Sequence, residues 1–319
     1  MKRNLSLLAR GGCFLLLLAA LLLGVSHLFM PKNNHKSFGV SDGELLANGI
    51  LGERENSIDV LVVGDSEAYS SISPMQMWSE RGFASYLCST PAQPLYDSYR
   101  FLRQAFERQS PKVVILETNA IFRSYKLNDY LLSRAKNLFS VLRYHDRWKA
   151  LSVNDFGRQL DYTFTDDLKG FRYNPAVAAA STANYMKPTD RKAAIPALNE
   201  TCLQDMLTLC RENDAQLLLV STPSTINWNT ARHNRIAAFA EENDLVYIDM
   251  NTMPKEVPID WARDTRDRGD HLNYAGAVKV SSFLGQYLQT TYELPDRRDA
   301  AHYNSWNDAL SRYRNIVKG

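Results

Sequence analysis

A serine that could act as a nucleophile follows the first predicted strand of this chain. The apolar run 58–63 ends at Gly64, and Asp65, Ser66 and Glu67 come next. At a sharp strand-to-helix turn, a serine Oγ is open to substrate, and nearby backbone N–H groups can stabilise an oxyanion. Gly64 would allow such a tight turn. The same residue types are common in turns, so the motif alone also fits an ordinary turn.

A histidine that could serve as the general base lies near the other end of the chain. His271 precedes a predicted helix, and Asp267 or Asp270 could hold its ring in one tautomer. An aspartate helix cap beside a surface histidine is the alternative interpretation of this segment alone.

The elements that must position these residues are short apolar runs alternating with amphipathic stretches. Strands are predicted at 58–63, 83–88, 113–116, 216–220 and 245–248, and helices at 96–108, 198–211, 230–242 and 275–288. This alternation predicts an α/β fold of three layers, flavodoxin-like, with about five parallel strands buried on both faces. Ligands bind beyond the carboxyl ends of such strands, where Ser66 and His271 are both expected.

Other polar residues follow the second and third predicted strands. Glu117 could orient Asn119 or be a buried structural carboxylate, and Gln93 lies in the loop after the second strand. No cysteine and histidine spacing fits a zinc site, so we expect neither a metal nor a cofactor. The four cysteines are expected to be free thiols.

These segments resemble the SGNH/GDSL hydrolase superfamily, and within it the membrane-anchored branch similar to the D-alanyl-lipoteichoic acid protein DltD. The matching segments are 62–66, 114–119 and 271–277. The resemblance implies that Ser66 is the nucleophile and His271 the base. It also implies that Asn119 and the Ser66 backbone N–H form the oxyanion hole, with Gly64, Asp65 and Glu117 nearby.

Two positions depart from the family pattern. The family usually has an aspartate three residues before the histidine, where this chain has Arg268 between Asp267 and Asp270. We favour Asp267, with a one-residue bulge in the loop. The family's oxyanion-hole glycine after the second strand is not evident. A backbone N–H of the loop 88–93, or the Gln93 amide, would have to replace it.

The composition is that of a globular protein and does not favour nucleic-acid binding. The 319 residues are 45% hydrophobic and 23% charged, with a net charge of +2, which is ordinary for a globular protein. The chain has no basic stripe with interleaved aromatic residues, so nucleic acid is not an expected partner.

The N-terminal region predicts a membrane anchor. Lys2, Arg3 and Arg10 precede the apolar run 11–30, which is long enough to cross a bilayer. The basic flank should stay inside, which makes the rest of the chain extracytoplasmic. A cleaved signal peptide is the alternative, but no clear cleavage site follows the run.

The predicted organisation has five parts. They are a cytoplasmic basic flank at 1–10, a transmembrane signal anchor at 11–30, a linker at 31–56, a catalytic domain at 57–290 and a docked tail at 291–319. The catalytic domain carries a helical insertion at 121–195, expected to pack over the strand ends as a functional or a structural cap.

The sequence therefore predicts a membrane-anchored serine esterase or O-acyltransferase that works through a Ser-His-Asp triad and an acyl-enzyme. Its expected partners are the lipid bilayer and a cell-envelope polysaccharide or teichoic-acid-like polymer. The family resemblance adds a multi-pass membrane O-acyltransferase. The alternative is a non-catalytic scaffold that binds the polymer or that membrane partner, an interpretation suggested by Arg268 and the missing glycine.

Overall fold

The computed structural model describes residues 2–36, 40–157 and 159–318. They belong to two compact units. The smaller unit comprises Met1–Leu45 and Tyr125–Thr163, and the larger one Leu46–Ser124 and Phe164–Gly319.

The smaller unit is helical. Its helices are α1 (Lys2–Phe29), most of α2 (Asp42–Asn48), α6 (Leu127–Leu138) and α7 (Ser140–Tyr144). Within α1, the stretch Leu8–Phe29 is long and apolar enough to cross a membrane, judged by length and composition. The predicted apolar N-terminal helix is thus confirmed, whereas its orientation stays a prediction.

The larger unit is built on a parallel sheet. Its strands are β1 (Val60–Gly64), β2 (Ser85–Ser89), β3 (Val113–Glu117), β4 (Gln216–Ser221) and β5 (Val246–Asp249). Their order is β2-β1-β3-β4-β5, which is the flavodoxin-like order. Each strand begins within two residues of its predicted start, so the α/β prediction with five parallel strands is confirmed.

Helices cover both faces of this sheet. They are α3 (Ser66–Ser71), α4 (Pro74–Arg81), α5 (Leu95–Phe106), α8 (Ala197–Glu212), α9 (Thr230–Asn243) and α10 (Tyr274–Tyr292). Val62 and Ile115 belong to one buried cluster with Ile72, which follows α3, and Val280 of α10. The alternate strand residues point to the opposite face. There α5 contacts β1 and β2, and α8 contacts β4.

One strand differs from the prediction of burial on both faces. β5 is an edge strand, and Val246 at its start is 43% exposed.

The segments flanking the sheet domain also have structure. A short hairpin, β6 (Thr265–Arg266) with β7 (His271–Leu272), precedes α10, and α11 (Asn304–Lys318) ends the described chain. Trp306 of α11 is buried and donates from Nε1 to Glu53 at 3.0 Å. The bounds predicted for the linker, the insertion and the tail stay predictions.

Candidate active site

Ser66 is the first residue of α3, directly beyond the carboxyl end of β1. Asp65 caps this helix, because its Oδ1 accepts a hydrogen bond from the Glu67 backbone N–H at 3.0 Å. Asp65 is fully buried, whereas Ser66 is half-buried. The short strand-to-helix turn therefore leaves the serine within reach of solvent.

Gly64 has a different role from the one predicted. Its φ is not positive, so the turn does not need a glycine for conformational freedom. A Cβ on Gly64 would instead lie 2.8 Å from Glu117 Cβ and 3.0 Å from Ala68 Cβ. Gly64 allows β1, β3 and α3 to approach closely, and this approach brings the elements of the site together.

His271 is oriented by a single carboxylate. Asp267 Oδ1 accepts from the His271 backbone N–H, and Asp267 Oδ2 lies against His271 Nδ1, both at 2.8 Å. A carboxylate oxygen only accepts, so in the neutral ring Nδ1 carries the proton and Nε2 has a free lone pair. The His271 side chain is 14% exposed and the helix cap of α10 is Asn273, which excludes the simple cap with a surface histidine.

The loop between β6 and β7 reaches this geometry through three consecutive left-handed residues. Asp267, Arg268 and Gly269 have φ values of 52°, 63° and 93°. A Cβ on Gly269 would overlap the Thr225 side chain, so this position needs a glycine for space as well as for its φ. With this loop conformation, Asp267, four residues before His271, hydrogen-bonds to the histidine ring. Arg268 is one of the left-handed residues between them.

Asp270 contacts the same ring less closely. Its Oδ2 is 3.5 Å from His271 Nδ1, while its Oδ1 accepts from Asn227 Nδ2 at 2.6 Å. The two aspartates that the sequence left open therefore differ in the structure. Asp267 is bonded to the histidine, and Asp270 is bonded to the loop after β4.

The hairpin lies against the helix that begins with Ser66. β7 contacts α3, and Arg266 donates from Nη2 to Ser70 Oγ at 2.6 Å. His271 Nε2 is buried and has no hydrogen-bond partner among the described residues. Ser66 Oγ is consequently not hydrogen-bonded to the base here. Such bonds are often long before substrate binds.

Glu67 is a site residue that the sequence pattern did not indicate. It is 1% exposed, its Oε1 accepts from Asn227 Nδ2 at 2.5 Å, and its Oε2 has no partner in the described chain. Burial, and then the nearby carboxylates of Glu117 and Asp65, raise the pKa of Glu67 well above its ordinary range. Burial therefore favours the protonated, neutral form of the Glu67 carboxyl.

Glu117 is a second buried carboxyl group with a raised pKa. Burial, and then the charge of Asp65, raise the pKa of Glu117 from an ordinary 4.5 to about 8. Its Oε2 accepts from the Asn119 backbone N–H at 3.0 Å, and its Oε1 from Thr222 Oγ1 at 3.3 Å. Glu117 is thus both buried and hydrogen-bonded to the backbone of Asn119, so the structure does not separate the two predicted roles.

Asn119 is held by bonds at both ends of its amide. Its Nδ2 donates to Asp65 Oδ2 at 2.9 Å, and its Oδ1 accepts from Arg232 Nη1 at 2.9 Å. Arg123 also donates to Asp65 Oδ2, at 2.8 Å. Because Arg232 donates to Oδ1, the amide must turn its Nδ2 towards Asp65, and one of the two Nδ2 hydrogens is not used in that bond.

Gln93 does not match its predicted role. It is fully buried, and its Nε2 donates both to Cys88 O at 3.3 Å and to Ser98 Oγ at 2.9 Å. Its Oε1 accepts from Thr90 Oγ1 at 2.9 Å. Because both amide hydrogens bind within its own loop and the adjoining helix, Gln93 has no donor left for an oxyanion.

The loop after β4 supplies further residues that the sequence pattern did not reveal. Asn227 joins Glu67 to Asp270, and Ser224 Oγ donates to the backbone oxygens of Gly269 at 3.1 Å and Asp270 at 2.9 Å. The location of this loop beyond a strand end was the signal that could have identified it.

Glu67, Asp270 and His271 offer ligand atoms that lie within 4.8 Å of one another. A metal ligand must be deprotonated, and burial disfavours the deprotonated form of Glu67. The burial of Glu67 thus disfavours a divalent cation at this set.

The raised pKa of Glu117 predicts a pH dependence of stability. Between about pH 4.5 and pH 8 the folded chain keeps a proton that the unfolded chain has lost. The free energy of unfolding should therefore fall as the pH rises through this window. Glu117→Gln should weaken that dependence, by on the order of 1–3 kcal/mol between pH 5 and 8.

Urea unfolding of the full chain in detergent, followed at several pH values, measures this effect. Glu107→Gln is the matched control, and it should leave the pH dependence unchanged. Equal slopes in the wild type and Glu117→Gln would contradict a proton on Glu117.

No protein-family model and no curated protein matches the chain. Among solved structures, it is similar to a lipase/acylhydrolase from Enterococcus faecalis, with 10% identity and a TM-score of 0.42, covering 76% of this chain and 100% of that one. It is also similar to the esterase EstA from a Pseudoalteromonas species, with 10% identity and a TM-score of 0.40, covering 73% and 98%. A GDSL-like lipase from Bacteroides thetaiotaomicron VPI-5482 has 12% identity and a TM-score of 0.37, covering 73% and 88%. Similarity at this level does not identify the reaction, which has to be inferred from the side chains themselves.

Proposed function

We propose that the chain is a serine esterase or O-acyltransferase of the SGNH/GDSL type. The observation that carries the proposal is the Asp267–His271 pair, presented by a hairpin that packs on the helix beginning with Ser66. An oriented imidazole with a free Nε2, on a hairpin that contacts the helix beginning with a serine, is suited to activate that hydroxyl once substrate binding brings the two groups within reach.

The proposed reaction proceeds through an acyl-enzyme. His271 Nε2 takes the proton of Ser66 as Oγ attacks the ester carbonyl carbon. The tetrahedral intermediate then collapses, the bond to the leaving oxygen breaks, and His271 returns its proton to that oxygen. Water or a second hydroxyl then attacks the acyl carbon while His271 takes its proton. The bond to Ser66 Oγ breaks, His271 returns the proton to Oγ, and the acyl group is released. The acceptor decides between an esterase and a transferase.

Two groups are proposed to bind the oxyanion. The Ser66 backbone N–H lies at the start of α3, and Asn119 keeps one amide hydrogen beyond its bond to Asp65. Fixed donors of this kind stabilise the transition state because they need no reorientation as charge develops. Gln93 is no longer a candidate, so any third donor would come from the backbone of the loop 88–93.

The proposed setting is the outer face of a membrane. Leu8–Phe29 is apolar and long enough to span a bilayer, and Lys2, Arg3 and Arg10 favour an N-terminus inside. An esterase or transferase anchored there would act on a cell-envelope polysaccharide or a teichoic-acid-like polymer. The resemblance to the DltD-like branch favours transfer, beside a multi-pass membrane O-acyltransferase.

The second candidate is a non-catalytic scaffold. One observation favours it, which is that His271 Nε2 makes no hydrogen bond with Ser66 or any other described residue. Arg268, which stands where the family has an aspartate, does not favour the scaffold, because the left-handed loop lets Asp267 reach the histidine.

Ser66→Ala tests the catalytic proposal. We expect hydrolysis of an aryl acetate to fall by roughly 10³-fold or more. We also expect acyl-ester content in the envelope of cells expressing this variant to fall. Ser71→Ala is the matched control, because Ser71 is buried in the same helix and its Oγ has no partner in the described chain. Wild-type levels in both measurements for Ser66→Ala would rule out the proposed nucleophile.

Substituting each aspartate tests which one completes the triad. Asp267→Asn should lower kcat by roughly 10²- to 10⁴-fold, because the amide favours the wrong tautomer of His271. Asp270→Asn should have less than about a 10-fold effect, since its main bond is to Asn227. The pH profile of kcat/KM separates a changed base from a folding defect. The opposite ranking of the two variants would assign the role to Asp270.

A further inference from the structure

The smaller unit exposes an unusual set of large apolar side chains outside α1. Six of them define what we call the apolar face: Leu127, Leu131, Leu138, Trp148, Val153 and Phe156, each 56–87% exposed. In the larger unit, the exposed large apolar side chains of the described residues are four: Val177, Ile226, Val246 and Ile316. A concentration of this kind marks an interaction surface.

Three residues of the apolar face lie on α6. Leu127, Leu131 and Leu138 are spaced by four and seven residues, so they lie within about 40° of one another around the helix axis. The opposite side of α6 includes Ser133, which is buried. The helix thus turns one apolar stripe outward, which an isolated soluble domain would bury.

This part of the unit is joined to the end of the apolar helix. Ser26 Oγ accepts from the Val141 backbone N–H at 3.2 Å, and Arg147 donates from Nη1 to Phe29 O at 2.6 Å. Ser26 lies three residues before the end of α1, about 4.5 Å along its axis. The start of α7 therefore lies at the depth where the apolar stretch Leu8–Phe29 ends.

A buried ion pair holds the connection. Arg147 and Asp155 are joined at 2.7 Å, and each side chain is 7% exposed. Arg147 also places its positive charge at the C-terminal end of α1, where carbonyl groups lack helical partners. Lys32 donates to His27 O at 2.7 Å and caps the same end. These bonds keep the segment 140–156 against the end of α1.

Basic and aromatic side chains accompany the apolar face. Lys149 lies 5.7 Å from the centroid of the Trp148 ring, and Arg134 lies 5.8 Å from that of Tyr130. Tryptophan and tyrosine concentrate at membrane interfaces, and lysine and arginine reach anionic headgroups from an apolar surface. This composition fits a lipid surface.

We propose that the apolar face is immersed in the headgroup and upper acyl region of the leaflet that α1 exits. Interfacial helices penetrate about 5–10 Å, and α7 meets α1 about 4.5 Å before the end of that helix, close to the shallow limit of this range. The inference rests on the proposed membrane anchor. It adds that the segment 127–156 is a second, non-spanning membrane contact that fixes how the smaller unit meets the bilayer.

Site-specific fluorescence of the full chain in phosphatidylcholine–phosphatidylglycerol vesicles tests this. Leu131→Cys, Val153→Cys and Phe156→Cys, each in a Cys13→Ser background, are labelled with an environment-sensitive dye. Each label should shift its emission to the blue and lose roughly half of its intensity to shallow nitroxide lipids. Glu212→Cys, at the exposed end of α8, should show neither effect.

Labelling native Cys13, which is exposed within the apolar stretch, in the wild-type chain distinguishes failure of this inference from failure of the proposed anchor. If deep nitroxide lipids quench Cys13 but the three labels behave like Glu212→Cys, the inference fails and the anchor stands. If Cys13 is not quenched, the proposed anchor fails and the inference with it. Blue-shifted labels that nitroxide lipids leave unquenched would assign the face to a protein partner and overturn the lipid proposal.

Discussion

The two hydrogen bonds that Asp267 accepts from His271 are the interaction on which the candidate site depends. A histidine at the start of a two-residue strand has little else to fix its ring. The Asp267 carboxylate contacts both the backbone N–H and the ring Nδ1 of His271, so it holds the main chain and the side chain together. The bonds form because Asp267, Arg268 and Gly269 adopt left-handed backbone conformations. Non-glycine residues rarely adopt such values unless the surrounding structure imposes them. Here Ser224 holds the carbonyl groups of the loop in place.

The second constraint is the burial of three carboxyl groups at one edge of the sheet. Asp65, Glu67 and Glu117 are each at most 1% exposed, and buried like charges cannot all remain ionised. Asp65 accepts hydrogen bonds from Arg123 and from the Asn119 amide, while burial favours the protonated, neutral forms of Glu67 and Glu117. A neutral Glu67 beside His271 leaves the negative charge on the Asp267 side of the ring. That distribution suits a base that must become an imidazolium during the reaction.

The sequence predicted those features that follow from local patterning. Buried parallel strands appear as continuous apolar runs, which is why the sequence alone could place Ser66, Asn119 and Glu117 at strand ends. The hairpin was not predictable in this way, since its strands are two residues long and carry no alternation. Asn227 shows the same limit. Which loop amide points inward depends on partners that are distant in sequence, such as Glu67, 160 residues from Asn227.

The most direct test of the proposed catalytic pair is labelling of the purified full chain with a fluorophosphonate probe, with the modified residue identified by mass spectrometry. We expect covalent modification at Ser66, at a rate that His271→Ala lowers strongly, because the probe needs an activated hydroxyl. No modification of Ser66, or a rate that does not depend on His271, would contradict the proposed pair of nucleophile and base and would favour the scaffold.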